Sequence, residues 1–128
     1  MISYNFRDKN VLERFVKAFL DVVVLLVLRN KGPLSGYRII ESIYELTGVF
    51  IAPSVLYPTI YQLRAKGFIS KYEANRRGGV FILTDQGNEQ IEKTLQAFLN
   101  LQNLISFLSS SEIAGKRMLT IQLPLDEI

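Results

Sequence analysis

The stretch that decides the fold is "APSVLYPTIYQLRAKGFI", residues 52–69. At 100° per residue, Leu56, Ile60 and Leu63 fall within about 60° of one another and form an inward helical face. Ser54, Tyr57, Tyr61, Arg64 and Ala65 fall on the other side, and Gly67 stops the helix. Two features need an explanation: a proline inside a short helix, and tyrosines turned outward. Pro58 is expected within about the first turn, where few N–H groups have an intrahelical partner and the cost is small.

Downstream, "FISKYEA" alternates as a strand, "NRRGG" turns with Arg76 and Arg77 at its tip, and "VFILT" returns as a second strand. Thr84 is the expected N-cap of a last helix running from Asp85 to about Leu108, with Asp85 favourable to the helix dipole. At ~1.5 Å per residue that helix is roughly 35 Å long, more than a small globule needs to cover itself. Its apolar positions are Ile91, Leu95, Phe98, Leu99, Leu101, Leu104, Ile105, Phe107 and Leu108. Beyond it "SSSE" breaks the pattern, and "KRMLTIQLPLDEI" gives a short alternating tail.

Upstream, Ser35 caps a helix "GYRIIESIYELTG" that Gly48 ends. Before it, "NKGP" stops an N-terminal helix expected over residues 8–29. That helix carries Val11, Leu12, Phe15, Phe19, Val22, Val23 and Leu26, a stripe that becomes apolar all round toward its end.

Composition bounds the function. The chain has 128 residues, 48% hydrophobic and 21% charged, enough apolar material for a packed core. It contains neither cysteine nor histidine. That rules out disulfides and thiolate metal sites, and it removes the commonest neutral-pH general base. With no paired carboxylates at a useful spacing and no phosphate-cradling glycine loop, no enzyme, cofactor or metal is expected. The run "DVVVLLVL" reaches membrane-spanning length only by taking in Glu13, Arg14, Lys17 and Asp21. The N-terminus lacks the layout of a signal peptide, so the expectation is a cytoplasmic protein without a membrane partner. Net charge is +3 but uneven. Residues 51–79 hold five bases (Arg64, Lys66, Lys71, Arg76, Arg77) against Glu73, whereas residues 84–111 hold three acids against Lys93. An anionic partner suits the middle segment; a solvated surface gives the same charges.

Three helices, a strand, an arginine-tipped turn, a strand and a long helix is the layout of a winged helix-turn-helix. The fold class is therefore mainly α with a small β-hairpin (α+β). The expected division is a winged-helix domain at 1–83, a dimerisation helix at 84–110 and a tail at 111–128. Such a unit sets the helix around Leu56 into the DNA major groove and its wing on the adjoining backbone. The expected phosphate contacts are Ser54, Tyr57, Lys66, Arg76 and Arg77, with Ser35, Tyr37 and Arg38 as weaker candidates. Base reading falls to Tyr61, Gln62 and Arg64, glutamine suiting adenine and arginine suiting guanine. Tyr57 and Tyr61 either touch DNA or pack against the wing. The apolar ridge implies a two-fold dimer through Phe15, Phe19, Ile91, Leu95, Phe98, Leu101, Leu104, Ile105 and Leu108. A winged-helix protein-interaction module that binds no nucleic acid is the alternative.

"GPLSGYRIIESI", "PSVLYPTIYQLRAKGFI" and "VFILTDQGNEQI" together resemble the PadR family of transcriptional regulators. The resemblance covers about Leu25 to Ile91. It rests on Gly32, Pro33, Leu34, Gly36 and Tyr37; on Leu56, Tyr57 and Pro58; and on Leu83, Thr84 and Gly87. It implies a homodimeric DNA-binding repressor whose C-terminal helix pairs with the partner's N-terminal helix. Members often carry basic residues where Tyr61 and Gln62 stand here. Some relatives bind planar hydrophobic effectors through tryptophan; this chain has none, so a small-molecule effector is left without a supporting residue.

Overall fold

The computed structural model describes residues 9–75 and 78–110. Its elements run α1 (Lys9–Ala18), α2 (Leu20–Lys31), α3 (Gly36–Thr47), α4 (Pro53–Ala65), β1 (Ile69–Asn75), β2 (Gly78–Leu83) and α5 (Asp85–Ser109). Contacts divide the chain into two units, Met1–Ile91 and Glu92–Ile128.

The core of the first unit follows the apolar periodicities. Seven residues of α2 are buried, so this helix is covered on nearly every side. Against it pack Ile39, Ile40 and Ile43 of α3 and Leu56, Ile60 and Leu63 of α4. Ile69 and Phe81 contribute from the hairpin. Each fully buried large aliphatic side chain contributes roughly 1.5–3 kcal/mol. The expected single N-terminal helix is divided at Phe19, whose φ of −117° and ψ of 39° are not helical. Neither proline nor glycine causes the break. The bonds from Phe19 N–H to the Phe15 carbonyl and from Val23 N–H to the Phe19 carbonyl, both 2.9 Å, carry the ladder across it. Val16 is the single buried residue of α1; the break separates a one-faced helix from an all-buried one.

The turn residues act as read. Ser35 Oγ accepts from Arg38 N–H at 3.2 Å, and Gly48 closes α3 in the left-handed region. At the end of α4, Phe68 N–H reaches the Leu63 carbonyl and Gly67 N–H the Arg64 carbonyl, both at 3.0 Å, a Schellman stop. Thr84 joins this stop to α5. Its hydroxyl donates to the Gly67 carbonyl at 2.7 Å and accepts from Gly87 N–H at 3.0 Å. Gly87 itself lies against the Phe68 backbone, where a Cβ would come within 2.7 Å of Leu83 Cδ1.

The hairpin departs from expectation at its tip. Pairing continues through a bulge between Tyr72 and Asn75 to Asn75↔Gly78, so three of the five residues of "NRRGG" belong to the strands. Gly78 at φ +86° permits this close return. Arg76 and Arg77 lie outside the described residues, as does the alternating segment 116–128. A pair of bonds between Leu34 and Phe81 (3.2 and 2.7 Å) ties the loop before α3 to β2.

Ile91, expected between two copies, is 1% exposed within its own core. The first turns of α5 are used up inside the subunit. From Glu92 onward, in the second unit, α5 exposes Leu95, Leu99, Leu101, Ile105 and Leu108. No charged residue occurs between Thr94 and Ser110.

Candidate nucleic-acid interface

α4 begins at Pro53 with Ala52 as a cap that supplies no side-chain bond. Pro58 is therefore its sixth residue, in the second turn rather than the first. Having no N–H, it leaves the Ser54 carbonyl without a helical partner. Ser54 and Pro58 are both exposed, so water can take up that acceptor. The burial of Leu56, Ile60 and Leu63 holds the helix together despite the missing bond.

The outward stripe of α4 consists of Ser54, Pro58, Tyr61, Gln62 and Ala65, all exposed. Tyr61 shows 62% of its surface. The side chains of Ser54, Tyr61 and Gln62 make no hydrogen bond within the described residues.

Tyr57 behaves otherwise. It is half-buried and packed on the core, and its ring lies across Gly36 at the start of α3. A Cβ at Gly36 would stand 2.6 Å from Tyr57 Cζ and 2.9 Å from Cε1. Of the packing partners, Tyr57 takes the start of α3 rather than the wing. The glycine of "SGY" and the tyrosine of "LYP" are thus two halves of one contact.

Three of the positive charges on α1 to α3 are paired, whereas Lys9 and Arg14 of α1 have no acidic partner among the described residues. On α1 to α3, Lys17 pairs with Glu13 at 2.7 Å, Lys31 with Glu45 at 3.6 Å and Arg38 with Glu41 at 3.1 Å. Arg64, Lys66 and Lys71 have no acidic partner among the described residues. Arg64, expected as a base reader, sits on the flank of α4 toward β1. There it shares an open groove of about 550 Å³ with Tyr61, Ala65, Ile69, Ser70 and Lys71. Lys71 Nζ lies 6.0 Å from the centroid of the Phe81 ring, its cross-strand neighbour. Lys66 occupies the C-cap of α4. Of the weaker candidates, Ser35 is engaged as the α3 cap, Arg38 is paired, and Tyr37 is 69% exposed. The sequence named Lys71 only within the basic segment and Ser70 not at all, because their relation to Arg64 arises only when β1 folds back beside α4.

No group of three or more acidic side chains among the described residues could hold a metal ion, and no helix there is long and apolar enough to cross a membrane.

Known proteins share this fold. A PadR-like transcription factor from Bacteroides fragilis superposes with a TM-score of 0.66 at 19% identity, covering 77% of this chain and 98% of its own. A winged-helix DNA-binding protein from STIV gives a TM-score of 0.57 at 24% identity, with 66% and 91% covered. Both establish the winged-helix fold. In sequence, an uncharacterized 37.1 kDa protein in transposon TN4556 of Streptomyces fradiae is 31% identical over 85 residues. The match takes in 66% of this chain but only 24% of that protein. The profile of the transcriptional regulator PadR-like family matches residues 24–93, more than half the chain. The chain accordingly belongs to the PadR-like family of winged-helix transcriptional regulators, DNA-binding proteins rather than enzymes.

Proposed function

We propose that the protein is a homodimeric, cytoplasmic regulator that represses transcription by covering a promoter. In this reading α4 enters the major groove and the wing lies along the neighbouring backbone. Residues 1–83, with the first turns of α5, form the reading unit; the rest of α5 to residue 110 joins two copies. Tyr61 and Gln62 face the bases, the glutamine amide matching the paired donor and acceptor of adenine. Ser54, Lys66, Arg76 and Arg77 contact phosphates.

The observation that carries this reading is the outward face of α4: three polar side chains without internal partners, beside three cations without counter-charges. Such groups are satisfied on binding an anionic, hydrogen-bonding surface. Dimerisation is supported by the uncharged apolar stretch of α5 from Leu95 to Leu108, too extensive to leave in water. Two copies then present α4 helices to half-sites about one turn, ~34 Å, apart. Selection of bound duplexes from a random pool tests both points together. Recovery of a two-fold consensus with that spacing is the expected outcome. A chain that retains no duplex even in dilute buffer is instead a protein-interaction module.

A further inference from the structure

Resting on the DNA-binding reading, we infer that the groove between α4 and β1 is a clamp for a DNA backbone phosphodiester. Arg64 and Lys71 supply its charge, so Arg64 positions the duplex rather than reading a base.

Three observations converge on it. The first is direction. Arg64 lies on the β1 flank of α4, where with Tyr61 it lines the same groove as Ser70 and Lys71, while Ser54 and Gln62 lie on the exposed stripe outside that groove. When a helix lies in the major groove, its outward stripe meets base edges and its flanks meet the strands that border the groove. The second is charge. The lining contains two cations and no acid, whereas Lys17, Lys31 and Arg38 are matched by glutamates four, fourteen and three residues away. The third is support. Lys71 rises from a strand position paired with the buried Phe81, and its ammonium lies within cation–π range of that ring. Its stem is therefore held by the hairpin instead of swinging freely. An arginine fork and a lysine point charge beside an open groove suit the oxygens of one phosphodiester.

The test uses the full chain and the random-pool selection. Arg64→Ala and Lys71→Ala are expected to select the same consensus as the natural sequence but to bind it at least about tenfold more weakly, the scale of a lost charge-assisted contact. Each should also reduce the slope of log affinity against log salt by about 0.9 per protomer. Arg64→Lys should restore most of that slope with the consensus unchanged, since a phosphate accepts either cation. Gln62→Ala serves as the contrast and should alter a base preference. A changed consensus in Arg64→Ala or Arg64→Lys, or an unchanged salt slope in both alanine variants, overturns the clamp while leaving DNA binding intact. A natural chain that selects no duplex overturns the underlying reading instead.

Discussion

Gly36→Ala should destabilise this protein, although helix propensity says the opposite. Alanine is favoured over glycine in a helix by up to about 1 kcal/mol, and Gly36 is the first residue of α3. Against that stands the Tyr57 ring. A Cβ at Gly36 would be 2.6 Å from Cζ and 2.9 Å from Cε1, where unstrained carbons keep about 3.5–4.0 Å. The ring must retreat by roughly 1 Å, and it is hemmed in by the core on its other side. Forcing an extra methyl into a packed contact costs about 1–3 kcal/mol. The net expectation is a loss of about 1–2 kcal/mol, or roughly 3–10 °C in melting temperature for a chain of this size. Thermal and urea unfolding should be followed at one fixed protein concentration, because association shifts the apparent midpoint. The decisive arm is the double variant Gly36→Ala with Tyr57→Ala. Once the ring is gone the added methyl loses its three nearest contacts, so the alanine at 36 should become neutral or stabilising. A coupling of about 1–3 kcal/mol follows. A single variant as stable as the natural chain, or a strictly additive pair, would refute the contact.

Three further outcomes can be stated. Replacing Arg76 and Arg77 together by alanine should flatten the salt dependence of DNA affinity by about 1.8 per protomer, two phosphate contacts at about 0.9 each; an unchanged slope in salt-titrated anisotropy argues against wing contact. Ile91→Ala should cost about 2–5 kcal/mol of folding stability as a core truncation. Ile105→Asp should leave a cooperatively folding chain that sediments as a monomer, and a dimer at micromolar concentration would remove Ile105 from the interface.

Much of the fold was legible because local chemistry decides it. Ser35, Gly48, Gly67 and Thr84 end or begin helices by bonds made within a few residues, and the inward face of α4 follows from periodicity alone. What escaped depends on residues distant in sequence. The break at Phe19 has no glycine or proline to announce it. The packing of Tyr57 on Gly36 spans twenty-one positions, and helical angles place Tyr57 only off the inward face. Likewise Ile91 belongs to the same apolar ridge as Ile105 by spacing, yet it is consumed inside the subunit because α5 starts against the core. The groove that joins Ser70 and Lys71 to Arg64 was missed for the same reason: strand alternation gives their faces but not the helix they adjoin.

These contacts also separate what makes the chain a family member from what makes it selective. Gly36 with Tyr57 fixes α4 against α3. Thr84 with Gly67 and Gly87 fixes the end of α4 to the start of α5, and Leu34 with Phe81 fixes the wing to the entry of α3. Every one of the motifs that carry the resemblance supplies a partner to these joints. Ser54, Tyr61 and Gln62 supply none, so substitution there leaves the scaffold's packing untouched and changes only what α4 presents. A fold held at its joints can therefore keep one pose of the helix while its outward residues are free to vary. On the proposed function, Tyr61 and Gln62 in place of basic residues change operator preference rather than abolish DNA binding, with attraction to the duplex supplied from the flanks by Arg64, Lys66 and Lys71.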